Sequence, residues 1–148
     1  MRTSLALSIL ILSATAGKAS ACSCTRPGNI LERCGKSDLI LFGTLASSED
    51  DTASGQRLLK FTVHRVRGDT SYIQPRWMTF ETPLSGAACG FGMAAGKAAI
   101  VFGRRTGSKG GYRTSLCSGN IVEPSRNQLD SLWPRDRAGG SPPQSRAA

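Results

Sequence analysis

Histidine is almost absent from this sequence: His64 is the single one, and ten carboxylates serve all 148 positions. So few groups that titrate near neutrality leave little for general acid–base catalysis. No glycine-rich phosphate loop, dinucleotide fingerprint or paired CxxC zinc site is present. The sequence therefore argues against an enzyme, and it calls for no cofactor and no metal of its own. Long apolar runs are missing too. The run from Leu5 to Leu12 falls far short of the roughly 18 to 20 residues of a helical membrane span, and no later stretch reaches that length. Aromatic residues make up 6%, barely enough for one core, so Trp77, Phe80 and Phe91 are expected in that core or at its rim.

What is present suits one small globular domain. Hydrophobic residues make up 39%, and the 17 glycines bring the apolar share to about half. Residues 1–21 read as a secretory signal peptide rather than as fold: Arg2 precedes the short apolar run, and small residues end in Ala19-Ser20-Ala21. Cleavage there removes Arg2 and Lys18, leaves 17 basic and 10 acidic residues, a net charge of +7, and makes Cys22 the new N-terminus. A Cys at that point is also what a bacterial lipoprotein presents for acylation. Such signals normally carry a larger aliphatic residue where Ala19 stands, and Lys18 interrupts the approach. The expected product is secreted, extracellular or periplasmic.

Along residues 22–133 the pattern is β-rich. Asn29 to Arg33 suits one helical turn, and Ser37 to Leu45 a first strand with Leu39, Leu41 and Gly43 on one face. An acidic, small-residue stretch runs from Ala46 to Gly55, after which Leu59, Phe61 and Val63 alternate with Lys60, Thr62 and His64. Trp77 to Thr82, Ala98 to Phe102 and Tyr112 to Cys117 supply three more strands, the last after the Gly107 to Gly111 turn. Pro124 breaks the pattern, and Ser125 to Trp133 reads as a short helix with Leu129 and Leu132 on one face. Residues 134–148, rich in Arg, Gly, Ser and Pro, read as a flexible polar tail. Five antiparallel strands with one or two short helices predict an all-β, OB-type barrel, with a small sandwich as the other architecture this pattern allows.

Five cysteines in a secreted chain of this size imply disulfides, and two pairs drawn from Cys22, Cys24, Cys34, Cys89 and Cys117 allow 15 connectivities. Spacing selects none of them.

Several fragments fall in one shared order around these cysteines. Cys22-Ser23-Cys24 opens the mature chain; Cys34 is followed by Ser37-Asp38-Leu39; Thr82-Pro83 precedes Cys89-Gly90; Gly96-Lys97 leads a strand; and Ser115-Leu116-Cys117 precedes Ile121-Val122, Pro124 and Leu132. In this order the chain resembles the N-terminal, netrin-like domain of the tissue inhibitors of metalloproteinases, over roughly Cys22 to Trp133. The family's second, cysteine-rich domain has no counterpart here. The resemblance implies an OB-type barrel and disulfides joining Cys22 to Cys89 and Cys24 to Cys117. That family's domain uses six cysteines, so Cys34 lacks its usual partner and is either a free thiol or a link between two chains. Pro27 stands one place later than the family's early proline, with Arg26 inserted before it, and an extra residue separates Cys34 from Ser37-Asp38.

The resemblance further implies an activity: inhibition of a zinc metalloendopeptidase. A catalytic zinc held by three protein ligands keeps a fourth position for water. The α-amino nitrogen and carbonyl oxygen of Cys22 would take that position, and Ser23 would face the protease's first specificity pocket. Cys24, Thr25 and Arg26, with Ser85, Gly86, Ala87 and Ala88 beside Cys89, would complete the contact ridge.

Blander roles stand beside these. The disulfides also serve as staples, each worth roughly 4 kcal/mol in the chain-entropy model, and His64 on a polar strand face reads as a solvated or satisfied side chain. The basic surplus admits a different function: Arg65, Arg67, Arg104, Arg105, Lys109 and Arg113 sit near strand ends and suit an anion-binding face for glycan or envelope polysaccharide. Nucleic acid is not expected, given the secretory signal and the lack of aromatic alternation along a strand.

Overall fold

The computed structural model describes residues 22–25, 27–68, 76–107 and 111–134. The expected signal peptide, Arg26, Lys109 and the tail beyond Pro134 lie outside the described residues. Asn29 begins the first element. Its side-chain oxygen accepts the Leu31 and Glu32 amides, both at 3.0 Å, satisfying N–H groups that a helix start leaves open, and α1 (Ile30–Gly35) follows. Strands β1 (Leu39–Asp51) and β2 (Gln56–Gly68) form a long hairpin. Then come β3 (Trp77–Pro83), β4 (Ala98–Thr106), β5 (Gly111–Arg113) and the two-residue β6 (Ile121–Val122). Ser125 and Gln128 cap each other's backbone at the start of α2 (Arg126–Leu132).

β1 pairs antiparallel with both β2 and β4, β2 pairs with β3, and β4 with β5. The parallel pairing of β3 with β5 completes the circuit. The strand order β1-β2-β3-β5-β4 thus returns to β1: an all-β, OB-type barrel of five strands with two short helices, to which β6 adds at β4. Closure removes the open edges that invite other chains to pair. β1 serves two neighbours because it bends, with register shifts between Phe42 and Gly43 and between Leu45 and Ser47. Only glycine fits the first bend, since a Cβ on Gly43 would lie 2.5 Å from the Thr62 carbonyl oxygen.

Alternation along the strands separates two apolar layers. Leu39, Leu41, Leu59, Phe61, Phe80 and Tyr112 are among those filling the barrel. Ile40, Ile100 and Phe102 point outward, where Leu132 of α2 covers them and Ile30 and Cys34 of α1 pack alongside. Phe80 and Phe91 are core residues, as expected. Trp77 is a rim residue, 41% exposed, with the Lys60 ammonium 4.3 Å from its ring centroid.

The observed strands differ from the expected ones for physical reasons. A closed ring with an odd number of strands cannot alternate direction all the way round, so five antiparallel strands become four antiparallel pairings and one parallel. Ala46 to Asp51, read from sequence as an acidic connection, continues β1 as the outer half of the hairpin. Both of its faces are exposed, so no apolar alternation marks it. Instead Arg57 on β2 pairs with Asp50 directly opposite and holds that carboxyl below its ordinary value. Asp51 closes the turn, its carboxylate accepting from the Ser54 hydroxyl at 2.7 Å. The last expected strand ends early, at Arg113, because the Ser115 amide turns away from the ladder to the Ser118 hydroxyl at 3.0 Å.

Gly103 tests how tightly the barrel is filled. A Cβ there would lie 2.6 Å from Cε1 of Phe80 and 3.5 Å from Cβ of Tyr112, both fully packed. Gly103→Ala is expected to cost about 1–3 kcal/mol through overpacking, read as a lower urea midpoint with an unchanged slope.

Candidate functional site

The first described residues are tied to the turns that follow β3 and β5. Exposure alternates from Cys22 to Thr25: the two cysteines are half-buried, and Ser23 and Thr25 are exposed. An i, i+2 spacing puts both sulfurs on one side of the chain. There Cys22 is bonded to Cys89 and Cys24 to Cys117, with Cα–Cα separations of 5.1 Å in both. The two bridges stack: the Cys22 and Cys117 sulfurs are 3.6 Å apart, and those of Cys89 and Cys117 3.5 Å. All four sulfurs lie within 4.8 Å of one another. Among the described residues they are the one group with the makings of a metal site, and the S–S bonds already use them.

Two turns hold the partner cysteines in place. In the first, Ser85 caps a 3-10 turn at Gly86–Ala88, its hydroxyl and carbonyl accepting the Ala88 amide at 3.2 and 3.1 Å. Cys89 ends that turn in the left-handed region at φ 62°, unusual for a residue with a side chain. The chain beyond is pinned where the Phe91 amide donates to the buried Thr82 hydroxyl at 2.8 Å. In the second, Leu116–Ser118 carries Cys117, and the Leu116 amide donates to the Cys89 carbonyl at 2.8 Å, tying the turns together. Asn120 anchors this loop to β4, accepting from the Phe102 amide at 2.9 Å and donating to the Ser115 carbonyl at 3.1 Å.

The structure therefore brings together Cys22, Ser23, Cys24 and Thr25 with Ser85, Gly86, Ala87 and Ala88, the last four all exposed. Arg26 lies outside the described residues. Sequence reasoning missed Leu116. It is 53% exposed and adjoins both bridges, so an apolar side chain stands in an otherwise small and polar ridge. Its place next to Cys117 in the chain was the available signal.

Other candidates fall elsewhere. Cys34 is half-buried against the outer apolar layer and is unpaired. His64 shares a 2.7 Å hydrogen bond with the Thr44 hydroxyl and packs on Phe42 with ring centroids 5.2 Å apart. It is thus a satisfied side chain and has no metal-ligating neighbour among the described residues. Arg104, Arg105 and Arg113 line one cavity together, whereas Arg67 lines another beside Cys34, and Arg65 lines neither. No helix of the described residues is long and apolar enough to cross a membrane.

No family model matches the chain, and no curated protein matches it.

Proposed function

We propose that this chain is a secreted inhibitor of zinc metalloendopeptidases, acting as a ligand to another enzyme's zinc rather than as an enzyme. One observation supports the reading: the Cys22–Cys89 bridge ties residues 22–25, of which Ser23 and Thr25 are exposed, to the exposed turn at residues 85–88. The ordered resemblance around the cysteines supports it. Once cleavage after Ala21 frees the Cys22 α-amine, nitrogen and carbonyl oxygen together chelate the protease zinc and displace its water. The sulfur takes no part, being held in the bridge. Ser23 enters the first specificity pocket, while Thr25, Arg26, Ser85, Gly86, Ala87 and Ala88 bury against the cleft walls.

Chelation through an amine requires the neutral form, and the reference α-amine titrates near 7.7–8.0. Binding therefore releases a proton and tightens as pH rises from about 6 to about 8.

Intact-mass analysis of the secreted protein is expected to find Cys22 first, unacylated, with two disulfides. An acyl chain on Cys22 or a different N-terminus would remove the chelating group. The functional test is titration of that mature protein into a panel of zinc endopeptidases, with stoichiometric loss of activity expected for at least one. Full activity across the panel would contradict the proposal.

A further inference from the structure

The strand-end arginines are not evenly used. Arg57 pairs with Asp50, Lys97 with Glu123 and Arg126 with Asp130, so much of the positive surface is locally balanced. One side of the barrel is different. Between α1, the end of β4 and the Leu116–Ser118 turn lie two cavities of about 470 and 440 Å³ that share Arg104, Ser115 and Ser118, and hence form one groove. Arg33, Lys36 and Arg104 line its first part, and Arg104, Arg105 and Arg113 its second.

The charges at its centre are uncompensated. Arg33 donates to the carbonyls of Gly28 and Gly119, both at 2.8 Å, and Arg104 donates to the Lys36 carbonyl at 2.9 Å. These bonds orient the guanidinium groups without cancelling their charge. Among the described residues no carboxylate pairs with Arg33, Lys36 or Arg104. Carboxylates flank the groove at both ends without pairing with these three: Glu32 lies against Gly28 beside the first part, and in the second Asp38 accepts the Arg105 backbone amide at 2.8 Å and Glu81 stands 3.8 Å from Arg113. No carboxylate lines either cavity, while Thr25, Ser37, Thr106 and Ser118 add hydroxyls.

We infer that this groove binds the sulfate or phosphate esters of a linear anionic polysaccharide. Guanidinium forks match oxyanions with two parallel hydrogen bonds, and hydroxyls suit sugar oxygens. A polymer fits better than a lone ion, because cations run the length of two joined cavities. Nucleic acid fits worse. Single-strand sites stack bases on exposed aromatic rings, and the groove's one aromatic, Phe102, is 1% exposed. Of the cations first picked from sequence, Arg104, Arg105 and Arg113 belong to this site. Arg33 and Lys36 join them from α1. The inference stands apart from protease inhibition, needing no free α-amine and sharing only Thr25 with the ridge.

The test is calorimetric titration of the full mature chain with a heparin octasaccharide and, separately, with inorganic polyphosphate of similar length. Binding is expected at low ionic strength and weakens steeply as salt shortens the screening length to about 8 Å near 0.15 M. Lys36→Ala with Arg104→Ala is expected to weaken it about tenfold, the combined worth of two exposed charge contacts. Arg65→Ala, which removes one charge outside the groove as Lys36→Ala removes one inside it, should change it less than about twofold. Lys36→Ala alone breaks no side-chain hydrogen bond, so it keeps the test readable if loss of the Arg104 bond unsettles the fold. Preference for the octasaccharide supports a polysaccharide ligand, and preference for polyphosphate, which carries no sugar, would overturn it. An Arg65→Ala effect equal to that of Lys36→Ala, or no binding of either probe at low salt, would overturn the site.

Discussion

Adding a single alanine ahead of Cys22 is expected to abolish protease inhibition while leaving the fold intact. The extension converts the α-amine into an amide, whose nitrogen lone pair is delocalised into the carbonyl and no longer coordinates a metal. It also places a residue where the zinc must sit. Loss of a central, fully desolvated contact of this kind costs at least about 100-fold in affinity. The barrel does not sense the change, because Cys22 and Cys24 keep their bridges and the ridge residues keep their hydrogen bonds. Inhibition constants of the two proteins, with matched circular dichroism and thermal melts, read the effect directly. Equal inhibition would remove zinc chelation as the mechanism. The anion groove is indifferent to the extension, so polysaccharide binding should persist in both proteins.

Replacing Cys24 and Cys117 by serine is expected to produce the largest loss of stability of any double substitution outside the core. The bridge joins residues 93 apart, and closing a loop of that length in the unfolded chain is worth about 4–5 kcal/mol in the chain-entropy model. A domain of this size has a total stability of about 5–15 kcal/mol, so the melting temperature should fall by roughly 20 °C. Inhibition should weaken as well, since Thr25 and Ser23 lose the second of the two ties that hold residues 22–25 to the barrel. A melting shift of only a few degrees would mean that the bridge contributes little and that the stacked sulfurs play another part.

Strands with one buried face were legible in the sequence. Leu59, Phe61 and Val63 alternate with polar residues, and Leu39 and Leu41 point to the barrel as read. Ile40 on the opposite face also proved buried, because α2 lies over it, which no local pattern announces. The outer hairpin from Ala46 to Asp51 was illegible, since neither face is covered and its register depends on a cross-strand pair, Asp50 with Arg57. The parallel β3–β5 pairing follows from ring closure and not from any segment's composition. At the ridge, residues 22–25 and 85–88 could be named from the order of motifs around the cysteines. Leu116 and the cations Arg33 and Lys36 could not, because their roles come from turns and a helix face that only the folded chain brings alongside.

Zinc coordination is the central claim, and a cobalt-substituted metalloendopeptidase reports it most directly. Cobalt in the zinc site gives visible absorption whose intensity falls as four-coordinate geometry becomes five-coordinate. Replacing one water by the nitrogen and oxygen of Cys22 makes that change. Titration of a susceptible cobalt enzyme with the mature protein is expected to shift and weaken the visible bands in step with loss of activity, and the alanine-extended protein should leave them unchanged. Inhibition by the mature protein with an unaltered cobalt spectrum would contradict chelation, and would place the inhibitory contact elsewhere on the protease.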